Sequence, residues 1–147
     1  MVSRLAAFNI KIMVTPEDFN THMYPELIDA ISREDDEVLM DAIASAEGQA
    51  MGYLSRFDTD FLFGAEEGDR DPTLLMHVKD IAVWHFIALA NASTDMELRK
   101  TRYDDALRWL KDIQSGKVVT KWKLAETEQE STGAFHVSSA PKRPTRW

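Results

Sequence analysis

The sequence predicts an all-α protein: a compact helical bundle of three long helices plus short N-terminal helices, followed by an extended C-terminal tail. Three observations carry this. Between Leu74 and Ala90 the only polar side chains are His77, Lys79, Asp80 and His85, so a helix from Pro72 to Asn91 is apolar on nearly every side and must be buried. Apolar residues recur at three- and four-residue steps from Asp35 to Phe57 and again from Met96 to Ser115. Helix-end signals frame these stretches: Asp71 as N-cap with Pro72 at the first helical position, and Gly116 after the last helix.

In chain order, Phe8, Ile10 and Ile12 alternate with Asn9 and Lys11 and suggest a short extended arm, too short to make a sheet alone. Thr15 is placed as the N-cap of a brief helix, with Pro16 at its first position and Glu17 and Asp18 favoured there by the helix dipole. Pro25 ends it, because the residue before a proline is pushed out of the helical region. Glu26 to Ser32 makes a second short helix with Leu27, Ile28 and Ile31 on one face. The long helix from Asp35 to Phe57 then buries Leu39, Ala42, Ile43, Ala46, Ala50, Tyr53, Leu54 and Phe57. Within it Ala44, Gly48 and Gly52 form a row of small residues, although a mid-helix glycine costs about 1 kcal/mol relative to alanine. Such a row permits close backbone approach, by the Pro72 helix or by a helix of another subunit; ordinary internal packing is the preferred reading.

Asp58 to Asp71 reads as a solvated acidic loop. A calcium loop needs an oxygen ligand at its fifth position and glycine at its sixth, where this one has Leu62 and Phe63. Phe61, Leu62 and Phe63 must fold back on the core or face a partner, which makes Phe61 and Phe63 candidate interface residues. Thr94 or Asp95 caps the last long helix, whose inward stripe is Leu98, Tyr103, Ala106, Leu107, Leu110 and Ile113. Asp104 with Arg108, and Arg108 with Asp112, are charge pairs of a solvated face. Trp109 sits on the flank of the stripe, either leaning on the core edge or marking an interface.

Helical periodicity stops at Lys117, which divides the chain into a helical domain, 1–116, and an extended or disordered basic, aromatic tail, 117–147. The net charge of −8 resolves into −11 on the first part and +3 on the second. An acidic body argues against gripping nucleic acid, because phosphate contacts need the opposite sign. The tail supplies the remaining candidate interface residues, Trp122, Phe135, Lys142, Arg143 and Trp147. The strongest apolar run, Ile81 to Ala90, contains His85 and falls short of the ~18 residues a membrane span needs. With no secretory h-region at the start, the expectation is a protein made and kept in a cytoplasm.

No catalytic constellation emerges. The chain has no cysteine, which excludes disulfides, thiolate zinc sites and cysteine nucleophiles. His77, Asp80 and His85 share one helix but lack the spacing that puts two ligands on one face, and Glu47 lies on another helix. Phosphate-cradling glycine loops and dinucleotide fingerprints are absent. The expectation is therefore no enzyme, no metal and no cofactor.

Three stretches taken together carry a resemblance: Ala42 to Asp58, ending in Tyr53-Leu54-x-x-Arg56-Phe57; Leu74 to Asn91, with Lys79-Asp80-Ile81-Ala82; and Met96 to Val118, with Arg102-Tyr103-Asp104-x-Ala106-x-x-Trp109-Leu110. In this order they resemble the Mu-type family of small phage proteins that complete the head and join it to the tail. Pro141-Lys142-Arg143 resembles the C-terminal signature of a longer-tailed branch. The resemblance implies a virion protein of the phage neck, in the host cytoplasm before assembly, that forms a homo-oligomeric ring under the portal. It also implies contact with a downstream neck or tail-completion protein, a lumen that the genome passes without specific binding, and no catalytic residues. On that reading, deleting residues 119–147 is expected to abolish portal docking and leave the monomer folded. Two other classes stay open: a free-standing helical interaction or regulatory module, and a metal-dependent enzyme built on His77, Asp80, His85 and the acidic loop.

Overall fold

The computed structural model describes residues 12–33, 35–90 and 96–126. The arm residues Phe8 and Ile10, the cap candidates Thr94 and Asp95, and the interface candidates Phe135, Lys142, Arg143 and Trp147 lie outside them. The elements are a 3-10 turn Pro16–Thr21, α1 (Pro25–Ser32), α2 (Asp36–Tyr53), α3 (Thr59–Phe63), a second 3-10 turn Glu67–Asp69, α4 (Pro72–Ala90) and α5 (Met96–Gln114). Among the described residues there is no strand, only one antiparallel bridge between Phe57 and Leu124.

Local chemistry sets most boundaries. The Asp18 carboxylate accepts from the Thr15 N–H at 2.8 Å and fixes the first turn. Tyr24 is extended before Pro25, which then opens α1 as its first residue. α1 ends on Arg33 at φ 55°, a left-handed cap without glycine. Asp35 caps α2 through the Glu37 N–H at 3.0 Å, and Asp71 caps α4 by accepting from Thr73 at 3.0 Å and Leu74 at 2.9 Å. Gly116, at φ 79°, sits just beyond α5.

Helix α4 lies between α2 and α5, which touch each other far less than either touches it. Its Leu74, Ile81, Phe86 and Ile87 are fully buried among Ile43 of α2, Leu54 just beyond it, and Leu110 and Ile113 of α5. Each such side chain contributes about 1.5–3 kcal/mol through burial. Val78, Lys79, Asp80, Ala82 and Val83 are buried as well, so the expectation of all-round burial holds along most of the helix; Pro72, Thr73, Met76 and Ala88 reach solvent.

Four expectations are corrected. The row Ala44, Gly48, Gly52 faces solvent instead of packing on α4, and a Cβ added to either glycine meets nothing within 4 Å. Leu98 is 53% exposed, because the inward positions of the first turns of α5 are taken by Arg99, on the His22 carbonyl, and Arg102, on Asp80. The long helix stops at Tyr53, and Leu54 to Phe57 turn off so that Phe57 can bridge to Leu124. On α5, Arg108 pairs with Asp105 at 2.7 Å, while Asp104 takes Lys100 at 2.7 Å and Asp112 takes Lys117 at 3.3 Å; the face remains solvated.

Candidate interaction surface

A polar seam runs through the body where the first 3-10 turn meets α4 and α5. Asp80 is buried and accepts from Arg102 Nε at 2.8 Å, with His22 Nε2 at 3.4 Å. Burial alone would push its carboxyl up, but His22 and Arg102 more than offset this and hold it below the usual carboxylate value. Lys79, also buried, donates to Thr21 Oγ1 at 2.9 Å, and burial lowers its pKa. Arg70 forms a bidentate pair with Asp18, at 2.7 and 3.3 Å, and donates to the Met13 carbonyl at 2.7 Å. Glu47 faces the same N-terminal segment from α2 and accepts from the Val14 N–H at 2.9 Å. Burial raises its pKa against the pull of the Val14 and Met13 amides.

The histidines of α4 do not converge. His77 stacks on Trp109 at 4.4 Å with its Nδ1 buried and unpartnered; His85 bonds Gln49 at 2.9 Å; Asp80 faces His22 and Arg102. Burial lowers the pKa of both α4 histidines, which favours the neutral ring. Among the described residues no three His, Cys, Asp or Glu side chains come together as a metal site would require. A groove of about 690 Å³ beside His85 is lined by Asp41, Ala44, Ser45 and Ala88.

The acidic loop is more ordered than its composition suggests. Asp58 caps α3 through the Phe61 N–H at 3.0 Å, which turns Leu62 and Phe63 inward and Phe61 outward. Phe63, 1% exposed, is core and offers no surface to a partner; Phe61, 65% exposed, does. Asp60, Glu66, Glu67 and Asp69 face solvent, as do Asp35, Asp36, Glu37 and Asp41 around the start of α2.

The first residues beyond Gly116 do not leave the body. Lys117 to Glu126 form a strap across it. Trp122 donates to Asp71 Oδ2 at 3.1 Å and sets its ring edge-on to Phe57 at 5.5 Å and Trp109 at 6.0 Å. Trp109 and Trp122 are thus half-buried partners of each other. The Asp58 N–H donates to the Lys123 carbonyl at 2.9 Å and the Ala125 N–H to the Arg56 carbonyl at 3.0 Å. Outward, Lys117, Lys121 and Lys123 are exposed; Lys117 pairs with Asp112 at 3.3 Å, and Lys123 with Glu126 at 3.1 Å and Asp58 at 3.7 Å. This strap escapes a reading based on helical period, although the alternation in Val118-Val119-Thr120-Lys121-Trp122-Lys123 signals an extended segment.

The strap therefore belongs with the helices, and likeness to other proteins extends across it. Residues 14–139 match the family described as bacteriophage Mu, Gp36. No curated protein and no solved structure matches. The match runs from the N-terminal turn through every described element and the strap, so the chain belongs to the bacteriophage Mu Gp36 family.

Proposed function

We propose that this chain is a non-enzymatic head-to-tail connector subunit of a phage particle, one that assembles as a ring under the portal and lines part of the DNA channel. The observation that carries this reading is the family match over residues 14–139, which contains all three stretches whose order resembles the connector proteins. The electrostatics support it. A body with a net charge of −11 and carboxylates exposed at both α2 and the loop before α4 builds a negative lumen when repeated around a ring, past which DNA slides without sticking. The open face at Ala44, Gly48 and Gly52 fits the approach of a neighbouring subunit, the other role the sequence leaves for that row.

The structure changes how the tail is to be tested. A deletion from residue 119 removes Trp122 and uncovers Phe57 and Trp109, so it damages the body along with the tail. The informative deletion is 127–147. Under this reading it leaves the far-ultraviolet spectrum and unfolding midpoint unchanged and abolishes co-sedimentation with portal rings. Undiminished co-sedimentation removes the tail from portal docking. Absence of co-sedimentation by the intact chain contradicts the connector itself and favours a free-standing interaction module.

A further inference from the structure

The groove of about 690 Å³ beside His85 lies between the first half of α2 and the last turns of α4. The residues along it that reach solvent, Ala44, Ser45 and Ala88, are small, which leaves it wide. Gln49 donates its amide N–H to Tyr103 Oη at 3.2 Å and turns its oxygen to His85 Nε2 at 2.9 Å. Nε2 therefore carries the imidazole proton, and Nδ1 is left a bare acceptor on a side chain that lines the groove. Asp41 is exposed at the lip and has no cationic partner among the described residues. An alanine-lined groove carrying a carboxylate and a ring acceptor suits a cationic donor on an apolar stem, which is the chemistry of a lysine side chain.

The strap carries such a group. Its Lys117 and Lys123 are engaged with carboxylates of their own chain, whereas Lys121 makes no ion pair among the described residues. Val119, 87% exposed, shares the outward face with Lys121, while Val118, Thr120 and Trp122 are half-buried. The strap thus sets a free cation beside an exposed apolar side chain. Lys111, the other exposed lysine without an ion pair among the described residues, shares its face of α5 with Arg108 and Ser115 and has no apolar companion there. Lys121 is out of reach of its own groove. Trp122 ties the strap to Asp71 at the start of α4, Lys121 points away from the body, and the helical rise puts Ala88 about 25 Å from Asp71.

We infer that Lys121 of one copy enters the groove between α2 and α4 of the next, its ammonium on Asp41 and His85 Nδ1 and Val119 against Ala44 and Ala88. Charge complementarity and the match of an apolar floor to an apolar neighbour select a second copy as the occupant. The two surfaces differ, so the contact is heterologous and repeats from copy to copy, as a ring requires. The inference deepens the connector reading and rests on it only for the ring.

The chain lacks cysteine, so single introduced cysteines report proximity without background. Val119→Cys and Ser45→Cys both fall at exposed positions and leave Lys121 and Asp41 in place. Full-length chains carrying one or the other are mixed with a short bismaleimide, with and without portal rings, and imaged in parallel. The expected product is a linked pair of chains, at least tenfold above that from Val119→Cys with Asp69→Cys, an exposed position at the other end of α4. Adding Lys121→Glu to the first chain reduces the yield severalfold, and adding Asp41→Lys to the second restores it. A yield equal to the control in both mixtures overturns the inference, as does a Lys121→Glu chain that links as well as its parent. Closure within a single Val119→Cys/Ser45→Cys chain overturns it too. Rings without the cross-link refute the inference and leave the connector reading standing; the cross-link without rings does the reverse.

Discussion

Asp80 is the polar residue on which α4 depends most, because its buried carboxylate is the point where the N-terminal turn and α5 both attach. Replacing it with alanine strands Arg102 and His22 and is expected to cost about 2–3 kcal/mol in urea unfolding. Its pKa in the folded state lies below the ordinary 3.8, so its contribution is complete above that value and is lost as pH falls through the lower one. Asp80→Asn should therefore flatten the acid limb of the stability profile. Glu47 has the opposite sign. Its folded-state pKa lies above the ordinary 4.5, so it stabilises most at low pH and progressively less as pH rises through the raised value. Denaturant titrations at pH 4 and pH 7 should show Glu47→Gln gaining on the parent chain at the higher pH. Gly48 and Gly52 make a further test. Each faces open space, so Gly48→Ala and Gly52→Ala should each stabilise the isolated chain by about 0.5–1 kcal/mol. Such a gain accompanied by weaker assembly on the portal would show that the bare row serves a subunit contact.

At the scale of elements, the strap behaves as part of the bundle and is held chiefly by one side chain. Trp122→Ala removes the Asp71 hydrogen bond and the contacts with Phe57 and Trp109, with an expected loss of about 2–3 kcal/mol and a red-shifted emission as Trp109 is uncovered. An unchanged unfolding midpoint would mean the strap is not a structural element. The strap also marks where sequence reading stops. Pro16, Pro25, Asp71, Pro72 and Gly116 announce helix ends through local chemistry, and the apolar content of α4 announces its burial, so the long helices are legible in order, α4 and α5 nearly to the residue. Pairing between distant segments leaves no such trace. Nothing local says that Arg70 will clamp Asp18, that His22 will sit on Asp80, or that Phe57 will leave its helix to bridge Leu124. The same gap explains Phe63 and Leu98. Each side chain's direction is set by a neighbour far along the chain or by a capping bond that turns α3. Of the candidate interface, Phe61 is exposed, while Trp109 and Trp122 are largely engaged with one another.

For the whole molecule, the proposed assembly rests on charge. The body is strongly acidic, the strap carries the exposed Lys117, Lys121 and Lys123, and the described residues contain no helix long and apolar enough to cross a membrane. In the proposed ring, contact between the strap lysines of one copy and exposed carboxylates of the next joins different surfaces, and it closes when the rotation permits. Such closure depends on ionic strength, because exposed pairs are screened within about 8–10 Å at 0.1–0.15 M salt. The association of copies should accordingly weaken at 0.5 M sodium chloride while the fold of each copy, buried on α4, does not change. The connector claim itself is tested most directly by electron microscopy of the purified full-length chain mixed with portal rings. The account predicts an added annular density coaxial with the portal, with a continuous central channel. Portal rings left unaltered at saturating concentrations of the chain would contradict it.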